Sequence, residues 1–316
     1  MEILPHLNPS CTDFLLVNPA AGGGRAASIV PGLLGFAKAR EWHVQLRVTS
    51  SPTDLATSAR LALETGMRRI FVVGGDGSFQ AVLNAIGINA NVVLAVIPAG
   101  GGNDLANALG LSTDFRTAAQ LLLDGEVSEM DVVRVRTADG IERFYAGGGG
   151  VGLDALAVRF ANGVFRNLSG RTRYILSLLR ALWGFQSFRV TLRMPTGGPE
   201  TIDTTALVTA VLNTPSYGAG VRLAPDAALD DGMLDVAIVP HLSLLEILFL
   251  LPRLVANGEL RIARIERFQA QTVLIETQSA MIFQADGELV GKTPVEISLI
   301  PRAIRILRPS SSDASR

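Results

Sequence analysis

Short apolar runs alternate with longer amphipathic stretches through the first third of the chain. Residues 14–17 form such a run, closed by Asn18-Pro19, and residues 44–49, 69–73 and 92–97 repeat it. Each reads as a strand bounded by turn residues. Between them the spacing predicts helices over 26–40, 53–65 and 78–86, the second opened by a good N-cap candidate. Repeated strand–helix units predict a parallel sheet covered by helices, whose ligands bind at the carboxyl ends of the strands. Three glycine-rich loops fall at that edge.

From about Val127 the pattern changes to shorter strands over 132–136, 143–146, 187–193, 206–212, 234–239 and 272–276. Turns such as Pro195-Thr196-Gly197-Gly198 separate them, and helices are expected near 154–160, 173–183 and 244–257. The expected division is an α/β domain over 1–127, completed by 301–310, and a β-rich domain over 128–300. Residues 311–316 read as a disordered tail.

A chain of 316 residues can hold two domains, since single cores stop growing at roughly 250–300 residues. Hydrophobic residues at 48% and charged residues at 18% fit a packed globular protein. A net charge of −1 gives no global attraction to nucleic acid. The single cysteine, Cys11, excludes an intramolecular disulfide and favours a reducing cytoplasm. The most apolar window, 242–256, is broken by Glu246, Pro252 and Arg253, and is shorter than the roughly 20 residues that span a bilayer. A mean hydropathy of +0.34 leaves room for peripheral contact with the inner membrane face. Arginines and aromatics interleaved over 159–183 suit an anionic bilayer, or equally a helix packed on its own domain with its arginines in solvent. A homodimer is compatible with the sequence.

The chemistry lies in the loops. Asn18-Pro19-Ala20-Ala21-Gly22-Gly23-Gly24-Arg25 joins a strand to a helix, where backbone N–H groups and a helix N-terminus can hold phosphate; a ligand-free turn would look similar. Gly74-Gly75-Asp76-Gly77-Ser78 follows its strand directly. A carboxylate among glycines suits a site where amides hold phosphates and Asp76 addresses magnesium, with helix capping as the plainer role. Gly100-Gly101-Gly102-Asn103-Asp104 adds a second carboxylate at the same edge, for magnesium or for capping the helix that begins at Leu105. In Gln284-Ala285-Asp286-Gly287-Glu288 two acids two residues apart would point the same way on a strand, and a carboxylate can take an alcohol's proton during phosphoryl transfer. A β-turn is the alternative there.

These motifs resemble the diacylglycerol kinase catalytic family, which includes sphingosine and bacterial lipid kinases. The resemblance continues through Gly147 to Asp154, Tyr174 to Leu182, and Ala224-Pro225 to Asp235, and ends on Asp286-Gly287-Glu288. It implies an N-terminal α/β domain with a parallel sheet, a C-terminal β-sandwich, and an ATP-dependent kinase acting on a lipid presented at a membrane surface. It implies nucleotide contacts from Asn18, Pro19, Ala20, Ala21, Gly22 and Thr49. The second and third loops add Gly74, Gly75, Asp76, Gly77, Ser78, Phe79, Gln80, Ala81, Gly101 and Asn103. Asp76 and Asp104 look like the pair that organises Mg2+, and Glu288 or Asp286 like the base, with Glu288 favoured. A structural magnesium of some bacterial members maps to Asp231, with backbone oxygens of Ala228 and Met233. Gly101 departs from the family, where threonine is common, and removes a hydroxyl expected to meet a phosphate. That departure motivates a second reading, a nucleotide-binding regulatory protein with a degenerate kinase site. A soluble-substrate kinase of the NAD-kinase type shares the Gly-Gly-Asp-Gly loop, but Asp286-Gly287-Glu288 and Asp231-Gly232 favour the lipid branch.

Other motifs fail on context. Gly147-x-Gly149-x-x-Gly152 lies in the β-rich region without a βαβ unit. Only three residues separate Gly287 from Gly291-Lys292-Thr293, where a P-loop needs four. The three histidines are scattered without metal-ligand spacing. The chain has no Gly-x-Ser-x-Gly elbow.

Overall fold

The computed structural model describes residues 12–88, 91–166, 168, 170–218, 220–243, 245–247, 249 and 264–310. Cys11, the tail 311–316 and most of the helix expected over 244–257 lie outside the described residues. The chain divides into two compact units, Met1–Met130 with Ala303–Arg316, and Asp131–Arg302. Both borders fall inside strands, Glu126–Thr137 and Val295–Arg308, so no linker composition marks them.

In the first unit β1 (Asp13–Val17) leads to α1 (Arg25–Ala39), and β2 (Val44–Val48) to α2 (Pro52–Glu64). Next come β3 (Arg69–Gly74), α3 (Asp76–Ile86), β4 (Val93–Pro98), α4 (Asp104–Ala108) and α5 (Phe115–Leu123). The strands pair in parallel in the order β2-β1-β3-β4, and Arg305 and Ile306 of the final strand join beside β4. Every residue of β1 and β4 is buried, which is why these strands, Asp13 at the start of β1 aside, are apolar runs rather than alternating. The cap of α2 is Ser51, whose hydroxyl accepts the Asp54 amide, with Pro52 at the first helical position.

β5 (Glu126–Thr137) carries the chain into the second unit. There follow β6 (Glu142–Tyr145), β7 (Gly148–Gly152), α6 (Leu153–Asn162), α7 (Gly170–Leu182), β8 (Phe188–Thr196) and β9 (Thr201–Leu212). β10 (Leu234–Pro240), β11 (Glu266–Ala270), β12 (Thr272–Thr277), β13 (Ile282–Ala285), β14 (Glu288–Lys292) and β15 (Val295–Arg308) complete it. The order β14-β13-β7-β9-β8-β12-β15 is antiparallel within this unit, with β10 on β9 and β11 on β10. Period-two alternation splits its core. Val211, Val236 and Ile238 pack with Tyr145 and Phe283, while Leu212, Ala237 and Val239 pack with Leu153 and Ala181 of α6 and α7.

No apolar pattern marks β7, because four of its five residues are glycine. Packing explains them: a Cβ on Gly148 or Gly149 would stand 2.6 Å from Leu212 or from the Phe283 ring. The strand is antiparallel to both neighbours, which closes the dinucleotide reading of these glycines.

Candidate active site

In the first unit, three loops at the carboxyl ends of β1, β3 and β4 lock together. Asn18 Nδ2 donates to Ser78 Oγ at 2.9 Å, and the Ala99 amide donates to the Gly74 carbonyl at 2.8 Å. Gly75 and Gly100 meet backbone to backbone, since a Cβ on Gly100 would stand 2.5 Å from Gly75 Cα. Gly22, at φ 61°, approaches the Ala99 carbonyl as closely. Asn103, at φ 60°, closes the third loop: its Oδ1 accepts the Gly100 amide at 2.8 Å and its Nδ2 donates to the Gly100 carbonyl at 3.1 Å. Glycine here lets three loops merge into one surface as well as baring their amides.

Helix termini on that surface differ in one respect. The first amides of α4, from Asp104 and Leu105, donate to the Asp76 carboxylate at 3.2 and 3.0 Å. Asp76 therefore caps α4, and Asp104 is buried as the first residue of the helix so capped. By contrast α1 and α3 start from Gly24 and Gly75 with no side-chain cap, so their orphan N–H groups remain available to an anion. Burial pushes the Asp76 carboxyl above its ordinary range, against the pull of the amides it accepts.

The other residues expected to meet a nucleotide differ in their exposure. Pro19, Ala20, Ala21 and Gly77 are loop or first-turn positions, and Gly101 is exposed. Thr49 is buried with its hydroxyl donating to the Val17 carbonyl at 2.9 Å. Phe79 and Gln80 are buried on α3, and Ala81 is half-buried beside them.

Among the described residues no group of three or more His, Cys, Asp or Glu could hold a metal unaided. Asp76 and Asp104 supply two carboxylates, which fits a magnesium ion that takes its other ligands from phosphates and water. At the Asp231 turn, Oδ1 accepts the Met233 amide at 2.9 Å, and Ala228 and Met233 are half-buried. Asp235, which sequence reasoning missed, has a buried Oδ2 without a partner; burial and the charges of Asp231 and Asp226 push its carboxyl up to about 6. The acid run Asp230-Asp231 to Asp235 brings these like charges together.

In the second unit Asp286 and Gly287 form the two-residue turn between β13 and β14, at φ 46° and 84°, the positive angles that a type I′ hairpin needs. This corrects the expectation that the two acids share one face of a strand: Glu288 pairs with Ala285 across the turn, and Asp286 lies in the turn itself. The Asp286 carboxylate accepts amides from Ala146 at 3.0 Å, Gly147 at 3.1 Å and Gly148 at 2.9 Å. No hydrogen bond from a described residue reaches the Glu288 carboxylate. Glu288 is exposed to solvent, yet the groups crowding its carboxyl withhold part of its water and push it above the ordinary glutamate range, while the Arg173 guanidinium pulls it back. One acid builds the turn; the other is free.

Comparison with known proteins follows the same division. Residues 13–135 match the diacylglycerol kinase catalytic domain, and residues 147–308 match the YegS C-terminal NAD kinase beta sandwich-like domain. The chain is 31% identical over 295 residues to a diacylglycerol kinase of Mycobacterium tuberculosis, covering 93% of this chain and 94% of the relative. A crystal structure of a diacylglycerol kinase from Bacillus anthracis shares the fold with a TM-score of 0.67 at 20% identity, covering 94% and 96% of the two chains. An NAD kinase from Archaeoglobus fulgidus, solved in complex with ATP, aligns with a TM-score of 0.50 at 12% identity over 94% of each chain.

Proposed function

The chain belongs to the diacylglycerol kinase family, and on that premise we propose that it transfers the γ-phosphoryl group of ATP to the hydroxyl of a lipid alcohol, diacylglycerol foremost. One observation carries the reading: of the acid pair Asp286 and Glu288, the first is held by three amides and the second accepts no hydrogen bond among the described residues. The open N-termini of α1 and α3 and their glycine loops hold the phosphates through backbone N–H groups. Asp76 and Asp104 would hold magnesium, which offsets phosphate charge when bound. Glu288 accepts the hydroxyl proton as the acceptor oxygen bonds to the γ-phosphorus and the bond to the bridging oxygen breaks, leaving ADP. A raised carboxyl suits that task, because a stronger base takes the proton more readily. Among the described residues no helix is long and apolar enough to cross a membrane, and in this proposal the chain meets its acceptor at a membrane surface on the cytoplasmic side.

Labelled ATP with magnesium and separate micelles of dioleoylglycerol, sphingosine and phosphatidylglycerol tests the reading. Transfer to dioleoylglycerol is expected. ATP binding without transfer to any of the three would overturn it and favour the degenerate-site reading that Gly101 motivates.

A further inference from the structure

The Gly287 peptide, immediately before Glu288, is gripped at both of its polar atoms. Its N–H donates to Gln284 Oε1 at 3.1 Å, and its carbonyl accepts from Asn162 Nδ2 at 2.9 Å. Each gripping amide is itself held. Gln284 is buried, and its Nε2 donates to Asp154 Oδ2 at 3.2 Å and to the Tyr217 hydroxyl, which in turn donates to Asp154. Asn162 closes α6, and its Oδ1 accepts from Arg173 of α7 at 2.5 Å; Arg173 Nε donates to the Ala161 carbonyl at 2.9 Å. A third restraint, the three amides on Asp286, fixes the residue before Gly287. None of these bonds touches the Glu288 carboxylate.

Two features indicate that this arrangement does more than stabilise a hairpin. An Asp-Gly turn of this type forms readily from its own backbone preference. Here four side chains from distant parts of the sequence, Asp154, Asn162, Arg173 and Tyr217, converge on it in addition. One of them comes at a cost, since Asp154 is a buried carboxylate with an oxygen, Oδ1, that has no hydrogen-bond partner.

We propose that Asn162 and Gln284, backed by Arg173 and by Asp154 with Tyr217, are positioning residues that aim Glu288 by clamping the Gly287 peptide. The inference rests on the reading of Glu288 as the base. The clamp fixes the direction in which the β14 strand leaves the turn, and so the arc the Glu288 side chain can sweep. Holding the base through its backbone leaves its carboxylate oxygens unengaged and able to accept a proton. A positioned base contributes on the order of 10²–10⁴-fold, and a loosened one keeps part of that.

The test is a double-mutant cycle between Asn162→Ala and Glu288→Gln, assayed with ATP and dioleoylglycerol in mixed micelles. Asn162 is exposed, so its truncation leaves the fold intact, and thermal unfolding verifies this. Asn162→Ala is expected to lower kcat by about tenfold with KM for ATP unchanged. In the Glu288→Gln background the same change is expected to have no further effect, because the residue acts only through the base. Equal losses in both backgrounds, or wild-type kcat in Asn162→Ala, would overturn the proposal. Wild-type kcat in Glu288→Gln would instead sink the base reading, an outcome distinct from either. Gln284→Leu supplies the buried arm, with the same loss of kcat expected and the same absence of effect once Glu288 is gone.

Discussion

The phosphate loops of the first unit and the acid turn of the second use one device and leave opposite groups free. In each, the aspartate of a glycine-rich motif is bound by backbone amides: Asp76 by those of Asp104 and Leu105, Asp286 by those of Ala146, Gly147 and Gly148. In the first unit this leaves helix N-termini without side-chain caps, an array of donors. In the second it leaves an acceptor, the Glu288 carboxylate. A reaction that binds a polyanion and strips a proton from an alcohol needs one of each. On the proposed reading the conspicuous aspartates build their own loops, and the groups left unbonded carry the chemistry.

The largest effect should come from removing the free acceptor. Glu288→Gln is expected to lower kcat by roughly 10²–10⁴ while melting temperature and ATP affinity hold, read by steady-state kinetics, scanning calorimetry and titration. Next comes the packing that merges the phosphate loops. Gly100→Ala places a Cβ 2.5 Å from Gly75 Cα, where neither backbone can yield cheaply. The overpacking should cost about 3 kcal/mol, a fall of roughly 6–12 °C in melting temperature, together with loss of ATP binding. Retained ATP affinity in that variant would show that the loops need not merge to hold phosphate.

Asp286 tests the comparison from the other side. Asp286→Ala leaves three amides without their acceptor and a non-glycine residue at φ 46° without the tolerance that Asp and Asn have there. A stability loss of about 2 kcal/mol is expected in urea unfolding, with Asn at that position recovering part of it. If Asp286→Ala instead lost activity with no change in stability, the division between builder and base would be wrong.

Legibility in the sequence follows the same physics. The parallel strands of the first unit announce themselves because both faces are buried, so β4 and β1 after Asp13 are apolar throughout. β7 was invisible because its residues were chosen for what they avoid, a clash with Leu212 and Phe283, and four glycines carry no period. The glycine loops were legible as loops at strand ends, but not the fact that Asp76 caps α4 across the sheet edge. That contact pairs residues 28 and 29 positions apart, which no local pattern reports. The acid pair was legible as a pair, while its division of labour depended on Ala146 to Gly148, about 140 positions away. Asn162 and Arg173 gave no local signal, since each acts on a hairpin more than a hundred residues downstream.

A smaller effect tests the electrostatics of the free acceptor. If Glu288 works as the carboxylate, as proposed, activity rises with pH through its pKa, and desolvation places that rise above the ordinary glutamate range. Arg173 pulls the carboxyl down, so Arg173→Met should move the acid limb of the kcat profile to higher pH. An acid limb that stays put would mean another group controls it.

The smallest effect concerns the donor side. Gly101 is exposed and is not among the described glycines held at positive φ, so a larger residue meets no backbone penalty there. Threonine at this position would add one hydroxyl donor beside amides already able to hold phosphate. A single net hydrogen bond stabilises by about 0.5–1.5 kcal/mol, which is roughly a two- to tenfold tighter grip on ATP. Gly101→Thr is therefore expected to lower KM for ATP within that range, with kcat and melting temperature unchanged. If phosphate binding is shared across the N-termini of α1 and α3, as proposed, one more donor adds to a set and does not complete it. Should the substitution raise kcat by orders of magnitude, the donors would be incomplete without it, and the chain as it stands would be a nucleotide binder whose acceptor side waits on a missing hydroxyl.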